Sequence, residues 1–184
     1  YTLDDGIPKV IDSINALKIS MFSFDVFLFN KTYNQLLINK TFGEVFKEVF
    51  IPFLNHLGLL WQTNTINPAN EHFISSLMTQ KIQINIEKLQ QNLPIDNSKT
   101  FILFLPEGEI HELGLLFLYY ELALRGYKVV YLGQSIPIEN IETMLSIDSK
   151  ICLVCSITVF PVEAQLEDYF DKMQNLINNT PHEY

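Results

Sequence analysis

Glu109, His111 and Gly114 fall in one short run, Glu109-Ile-His111-Glu-Leu-Gly114, and each residue type has a use beside a metal-bearing ligand. A neutral imidazole is a good ligand for a transition metal, and a carboxylate or carbonyl on the other ring nitrogen usually steers it. Glu109, two residues before His111, is placed for that role. Gly114 lets the start of a following helix approach a bulky group with no side chain in the way. A second cluster, Trp61 followed after nine residues by Glu71 and His72, offers a flat indole face and hydrogen-bonding groups suited to a sugar edge. Ser75, Ser76 and Thr79 follow His72 at spacings of three, four and seven, extending a small polar stripe along the same helix side. Taken singly, these residues have plainer explanations: a surface loop histidine beside an acid, an aromatic core plug, and a helix-start acid facing the dipole. Their joint occurrence at this spacing is harder to explain by packing alone.

Two kinds of element must position these clusters. Up to about residue 92 the apolar residues have helical spacing. It is clearest from Thr41 to about Leu60, where Phe42, Val45, Phe46, Val49, Phe50, Phe53, Leu54 and Leu57 follow three- and four-residue steps. Thr41 with Glu44 forms a capping box, and Pro52 inside the pattern should bend the helix. Asn67 caps a further helix from Pro68 to about Gln91, and two earlier helices are expected near Pro8 to Lys18 and Met21 to Leu37. Four helices on short loops predict a bundle over 1–92. Asn92 to Lys99 reads as a polar, proline-bearing linker. Beyond it, strands at Phe101–Leu105, Lys128–Leu132 and Ile151–Ser156 alternate with helices at Glu112–Arg125, from Pro137, and at Val162–Asn178. That order predicts a parallel, flavodoxin-like (Rossmann-type) α/β domain over 99–184, with His111 just past the carboxyl end of its first strand.

Composition narrows the function classes. With 184 residues and 48% hydrophobic content the chain can bury a sizeable core, and it reads as a soluble cytoplasmic protein. No apolar run reaches the ~20 residues of a membrane span, and no secretory leader is visible. The net charge of −9 argues against this segment gripping a phosphate backbone by itself. Cys152 and Cys155 lie in an expected buried strand and point to opposite faces, so two buried reduced thiols are expected rather than a zinc or redox pair. His56 and His182 read as a helix residue and a tail residue. The start without Met suggests a fragment of a longer chain.

Glu-x-His-x-x-Gly resembles the cobalamin-binding signature of the corrinoid-domain superfamily, whose His replaces the cofactor's own base as lower cobalt ligand. The resemblance implies a nucleotide tail threaded into the α/β domain, with Ser156 and Thr158 matching the superfamily's second small-polar motif. The Gly-Gly that follows a fourth strand in the superfamily has no counterpart here, so the α/β domain is expected to be cut short at its C-terminal end. Trp-x9-Glu-His followed by Glu-x-His-x-x-Gly resembles the effector domain of MerR-type cobalamin-dependent regulators, the CarH/LitR group of light-responsive repressors. This second resemblance, running from the bundle to the third strand, implies adenosylcobalamin as the cofactor. Trp61, Glu71 and His72 would surround the adenosyl group, and His111 would bind cobalt from below beside Glu109 and Gly114. Light would cleave the cobalt–carbon bond, shift the bundle against the sheet and change homo-oligomer contacts, with no substrate turned over. Gln62 stands where some light-sensing members carry a further cobalt-binding His. DNA would be contacted only through a helix-turn-helix domain expected in front of Tyr1. The runner-up expectations are the corrinoid-carrying subunit of a methyltransferase system and an interaction module that has lost the cofactor.

Overall fold

A computed structural model describes residues 10–63, 65–92, 96–146 and 150–178. The expectations for Pro8, for residues 93–95 of the linker and for His182 lie outside the described residues. The helical region comprises α1 (Val10–Ser23), α2 (Val26–Leu36), α3 (Phe42–Val45), a π-helical turn (Phe46–Phe50), α4 (Ile51–Gln62) and α5 (Pro68–Asn92). The chain divides into two compact units at Lys81, within α5. Among the described residues no helix is long and apolar enough to cross a membrane.

Thr41 starts the Phe-rich helix with the expected reciprocal cap. Its hydroxyl accepts the Glu44 N–H at 3.3 Å, and its own N–H donates to the Glu44 carboxylate at 2.7 Å. The distortion expected from Pro52 takes the form of a widened turn just ahead of it, where the Ile51 N–H reaches the Phe46 carbonyl five residues back. Proline has no N–H to continue the α-ladder, and an inserted π turn absorbs the misfit. The fully buried Phe50 ring lies 6.2 Å from Phe29, 6.2 Å from Tyr33 and 5.9 Å from Phe46 between ring centroids. The break between the first two helices falls later than the sequence pattern placed it. α1 runs on to Ser23 because Ser20 closes its end: the Ser20 carbonyl accepts the Asp25 N–H at 2.9 Å, and its hydroxyl donates to the Asp25 carbonyl at 2.7 Å. Asp25 then caps α2 by accepting the Leu28 N–H at 2.9 Å. Between them Phe24 sits at φ 53°. Glycine is usual at such a helix end, and an L-residue there costs roughly 1–2 kcal/mol. α5 opens on a reciprocal Asn67–Asn70 pair, with N–H to side-chain oxygen distances of 3.2 and 3.3 Å. Its buried residues Ile74, Met78, Ile82 and Ile86 recur every fourth position.

The second unit is a three-stranded parallel sheet of order β2-β1-β3, from β1 (Asp96–Pro106), β2 (Tyr127–Ile136) and β3 (Ile151–Cys155). Helix α6 (Leu113–Leu124) joins β1 to β2, a 3₁₀ helix (Ile138–Ser146) joins β2 to β3, and α7 (Glu163–Asn178) follows. Central β1 buries Ile102, Leu103, Phe104 and Leu105 on both faces, which is why its sequence is a continuous apolar run. Leu103 and Leu105 pack with Leu115 of α6, flanked by Phe101, Leu118, Tyr131 and Val154.

Four details depart from the sequence pattern. β1 begins five residues earlier, at Asp96, whose N–H donates to the Gly126 carbonyl beside the start of β2. β2 continues past Leu132 to Ile136 across a bulge: Leu103 pairs with Tyr131 but Phe104 with Gly133, which adopts φ 90°. The helix after Pro137 is 3₁₀, and the Thr143 and Ser146 hydroxyls occupy carbonyls three residues back. Cys152 and Cys155 are free but only half-buried, because β3 is an edge strand of the described sheet.

Phe50→Ala removes the ring on which the helical core converges, and a loss of about 4 kcal/mol is expected in urea unfolding followed by circular dichroism. Thr41→Ala, which removes only a cap, should cost about 1 kcal/mol in the same assay.

Candidate functional site

The chain steps from β1 to β2 on one side of the sheet and then back past β1 to β3 on the other. The carboxyl ends of β1 and β3 therefore flank a topological switch point, where open α/β sheets hold ligands. Glu109, three residues beyond β1, is fully buried there. One of its oxygens accepts the N–H groups of Ile110 at 2.8 Å and His111 at 2.9 Å, and lies 2.6 Å from His111 Nδ1. The other accepts the N–H groups of Thr158 at 2.8 Å, Val159 at 2.6 Å and Phe160 at 3.0 Å. One carboxylate thus gathers six donors and joins the loop after β1 to the loop after β3. Burial alone would raise its pKa. The N–H bonds from Val159, His111 and Phe160 and the His111 ring outweigh that, holding the carboxyl well below the usual carboxylate range.

An ionised carboxylate only accepts hydrogen bonds, so His111 Nδ1 is the donor, and in the neutral ring Nε2 is the nitrogen carrying the lone pair. The His111 side chain is 48% exposed, and Ile110, Val159, Phe160 and Val162 are exposed apolar residues on the same two loops. The loops are tied to each other and to β2 by further contacts. Phe160 lies against Gly108 (φ 82°), its ring 3.6 Å from where a Cβ would stand. The Gly108 N–H donates to Ser135 Oγ at 3.0 Å, and the Ser135 N–H to the Glu109 carbonyl at 3.1 Å, fixing Ser135 at φ 54°. Beyond His111, Glu112 accepts the Tyr131 hydroxyl at 2.8 Å. Burial first, then the bond and charge of Glu112, push that hydroxyl well above the usual phenol range. A Cβ placed on Gly114, in the first turn of α6, would meet open space.

Among the residues singled out in the α/β unit, the structure brings Glu109, His111 and Thr158 together, with Ser156 at the foot of the same loop. Thr158 meets Glu109 through its backbone N–H. The Val159 and Phe160 N–H groups are invisible to sequence reading, because main-chain donors have no side-chain type to mark them, and Ser135, a single serine at the end of β2, carries no spacing signal. In the helical unit, Glu71 accepts the Ser75 hydroxyl at 2.6 Å and lies 3.3 Å from His72 Nδ1. His72 is largely exposed, as is Ser76, and Thr79 is half-buried one turn further on. Trp61 ends α4 with 40% of its surface exposed, so it is not a core plug.

Because the Glu109 pKa is lowered in the folded state, its stabilising contribution is complete above the unfolded carboxylate value of ~4.3 and is lost as pH falls toward the folded value. Glu109→Gln should cost roughly 3 kcal/mol at pH 7, by leaving buried N–H groups without an anionic acceptor. It should also flatten the decline in stability below pH ~4. Urea unfolding across that pH range checks both, and equal stability at pH 7 would contradict the role given to this carboxylate.

Comparison with known proteins adds three findings. The B12 binding domain family matches residues 13–84. The chain is 31% identical over 98 residues to the HTH-type transcriptional repressor CarH of Myxococcus xanthus, an alignment covering 53% of this chain and 31% of that protein, so the chain spans about a third of its relative's length. The fold is similar to that of the monomethylamine corrinoid protein of Methanosarcina barkeri, with a TM-score of 0.73 over 91% of this chain and 79% of that one at 16% identity, a likeness of fold alone. The match over residues 13–84 and the similarity to CarH together support a CarH-like cobalamin-binding effector domain.

Proposed function

We propose that this chain is the cobalamin-sensing part of a MerR-type transcriptional regulator, with residues 1–92 serving the cofactor's upper ligand and 99–184 its cobalt and nucleotide tail. The observation that carries this reading is the pairing of an obligate anion, Glu109, with His111 Nδ1 at 2.6 Å, which orients Nε2 as a metal ligand at the switch point. Among the described residues no group of three or more His, Cys, Asp or Glu side chains could hold a metal ion. A lone oriented imidazole therefore suits a metal that brings its other ligands with it, as cobalt does in a corrin. The open space in front of Gly114 and the exposed apolar residues Ile110, Val159 and Phe160 suit a broad, mostly apolar ring. Gly114, Ser156 and Thr158 are assigned to the ring and its nucleotide tail.

When bound, adenosylcobalamin supplies a cobalt–carbon bond that light can break. His111 would hold the metal through Nε2, and Glu109, accepting from Nδ1, would fix the ring in that orientation. Trp61 offers its indole face to the adenosyl group, and Glu71, braced by Ser75, offers hydrogen bonds to the ribose together with His72. Loss of the adenosyl group on illumination would leave these three residues without that partner. Their differential affinity for the two states would shift the balance between oligomeric forms, and DNA binding by an adjoining helix-turn-helix domain would follow that balance. No step of this cycle requires turnover of a substrate.

The protein loaded with adenosylcobalamin in the dark should retain the coloured cofactor through gel filtration, and its visible spectrum and oligomeric state should change on illumination. His111→Ala should lose its ligand-dependent spectral features while keeping the helical fold. Failure to retain any corrinoid would end the reading. Methyl transfer from bound methylcobalamin to a partner enzyme would instead make the chain a corrinoid carrier.

A further inference from the structure

Phe24 occupies a position that the helix end does not require a phenylalanine to fill. It is the residue at which α1 terminates, with φ 53°, where glycine serves without strain. The termination itself is made by others: Ser20 and Asp25 exchange two bonds, and Asp25 caps α2. The Phe24 ring recovers little from burial, being 49% exposed, and it meets the Phe73 ring edge to face at 5.3 Å. Strain held in place by surrounding bonds, on a side chain left half in solvent, is typical of ligand-contacting positions. Its location agrees. The Asn70 side-chain amide donates to the Met21 carbonyl at 3.4 Å, fastening this corner to the first turn of α5. That turn carries Glu71 and His72, and Phe73 is the next residue along. The corner therefore belongs to the same end of the helical unit as the polar pair assigned to the nucleoside.

We propose that Phe24, braced by Phe73, forms an aromatic wall for the purine nucleoside on the cofactor's upper face and so favours adenosylcobalamin over corrinoids with a small upper ligand. This rests on the cobalamin-sensing reading above and adds a residue that selects the ligand.

The test is equilibrium binding of adenosylcobalamin and of hydroxocobalamin, in the dark, to the wild-type protein and to Phe24→Gly and Phe24→Asn, two residues that tolerate the left-handed backbone. Thermal stability and oligomeric state are measured alongside. Both variants should match or exceed the wild-type melting temperature, bind hydroxocobalamin unchanged, and bind adenosylcobalamin roughly ten-fold more weakly, the scale of one lost base–aromatic contact. Unchanged discrimination between the two corrinoids would overturn the proposal, as would a fall in stability with both affinities lost alike, which would make the ring structural. A change in oligomeric state alone would overturn it in favour of a contact with a second copy. A wild-type protein that binds neither corrinoid defeats the sensing reading itself, an outcome distinct from wild-type binding with variants that discriminate equally well.

Discussion

The buried carboxylate of Glu109 is the constraint on which the α/β unit's carboxyl edge depends. A fully desolvated anion is tolerable only if its lone pairs are filled, and here six N–H groups fill them. Three of those donors lie on the loop after β3, so the charge that orients His111 also fixes the loop opposite it. The loops after β1 and β3 are thus settled by one group, while Ser135 ties the first of them to β2. Rigidity at this edge comes from an electrostatic hub, with sheet packing beneath it in Leu103, Leu105 and Leu115.

The two units reach local order by different routes. The helical unit is an aromatic core, centred on Phe50, with defined caps at Thr41, Asp25 and Asn67. Its polar functional candidates sit at helix ends, where the chain is free of the packing demands of the interior. Glu71 in the first turn of α5 is also where a negative charge is favoured by the helix dipole, so the placement proposed for ligand contact serves stability as well. Trp61 and Phe24 stand at helix termini too, and both keep much of their ring surface in solvent.

Sequence periodicity made much of this architecture legible, and particular residues show where it stopped. The Phe42-to-Leu57 stripe, the Thr41–Glu44 box and the apolar run of β1 were readable because each depends on local spacing or on side-chain type. Glu109 beside His111 was readable as a pair for the same reason. The π turn before Pro52 was legible only as a distortion, since its form depends on which carbonyl the Ile51 N–H can reach. The continuation of β2 past Gly133 was hidden, because a glycine at a bulge looks like the end of a strand. The half-exposure of Cys152 and Cys155 follows from an edge position that periodicity does not encode. The second half of the Glu109 hub was invisible as well. Backbone donors at 158–160, some fifty residues away in sequence, carry no compositional mark.

The central claim is that the imidazole held by Glu109 is the protein's bond to cobalt. Electron paramagnetic resonance of the protein loaded with cob(II)alamin tests it most directly when the histidines carry ¹⁵N and the corrinoid keeps natural nitrogen. A two-line nitrogen splitting on the cobalt signal, from one ¹⁵N ligand and absent in His111→Ala, is the result expected. A three-line splitting, from the cofactor's own ¹⁴N base, would contradict it.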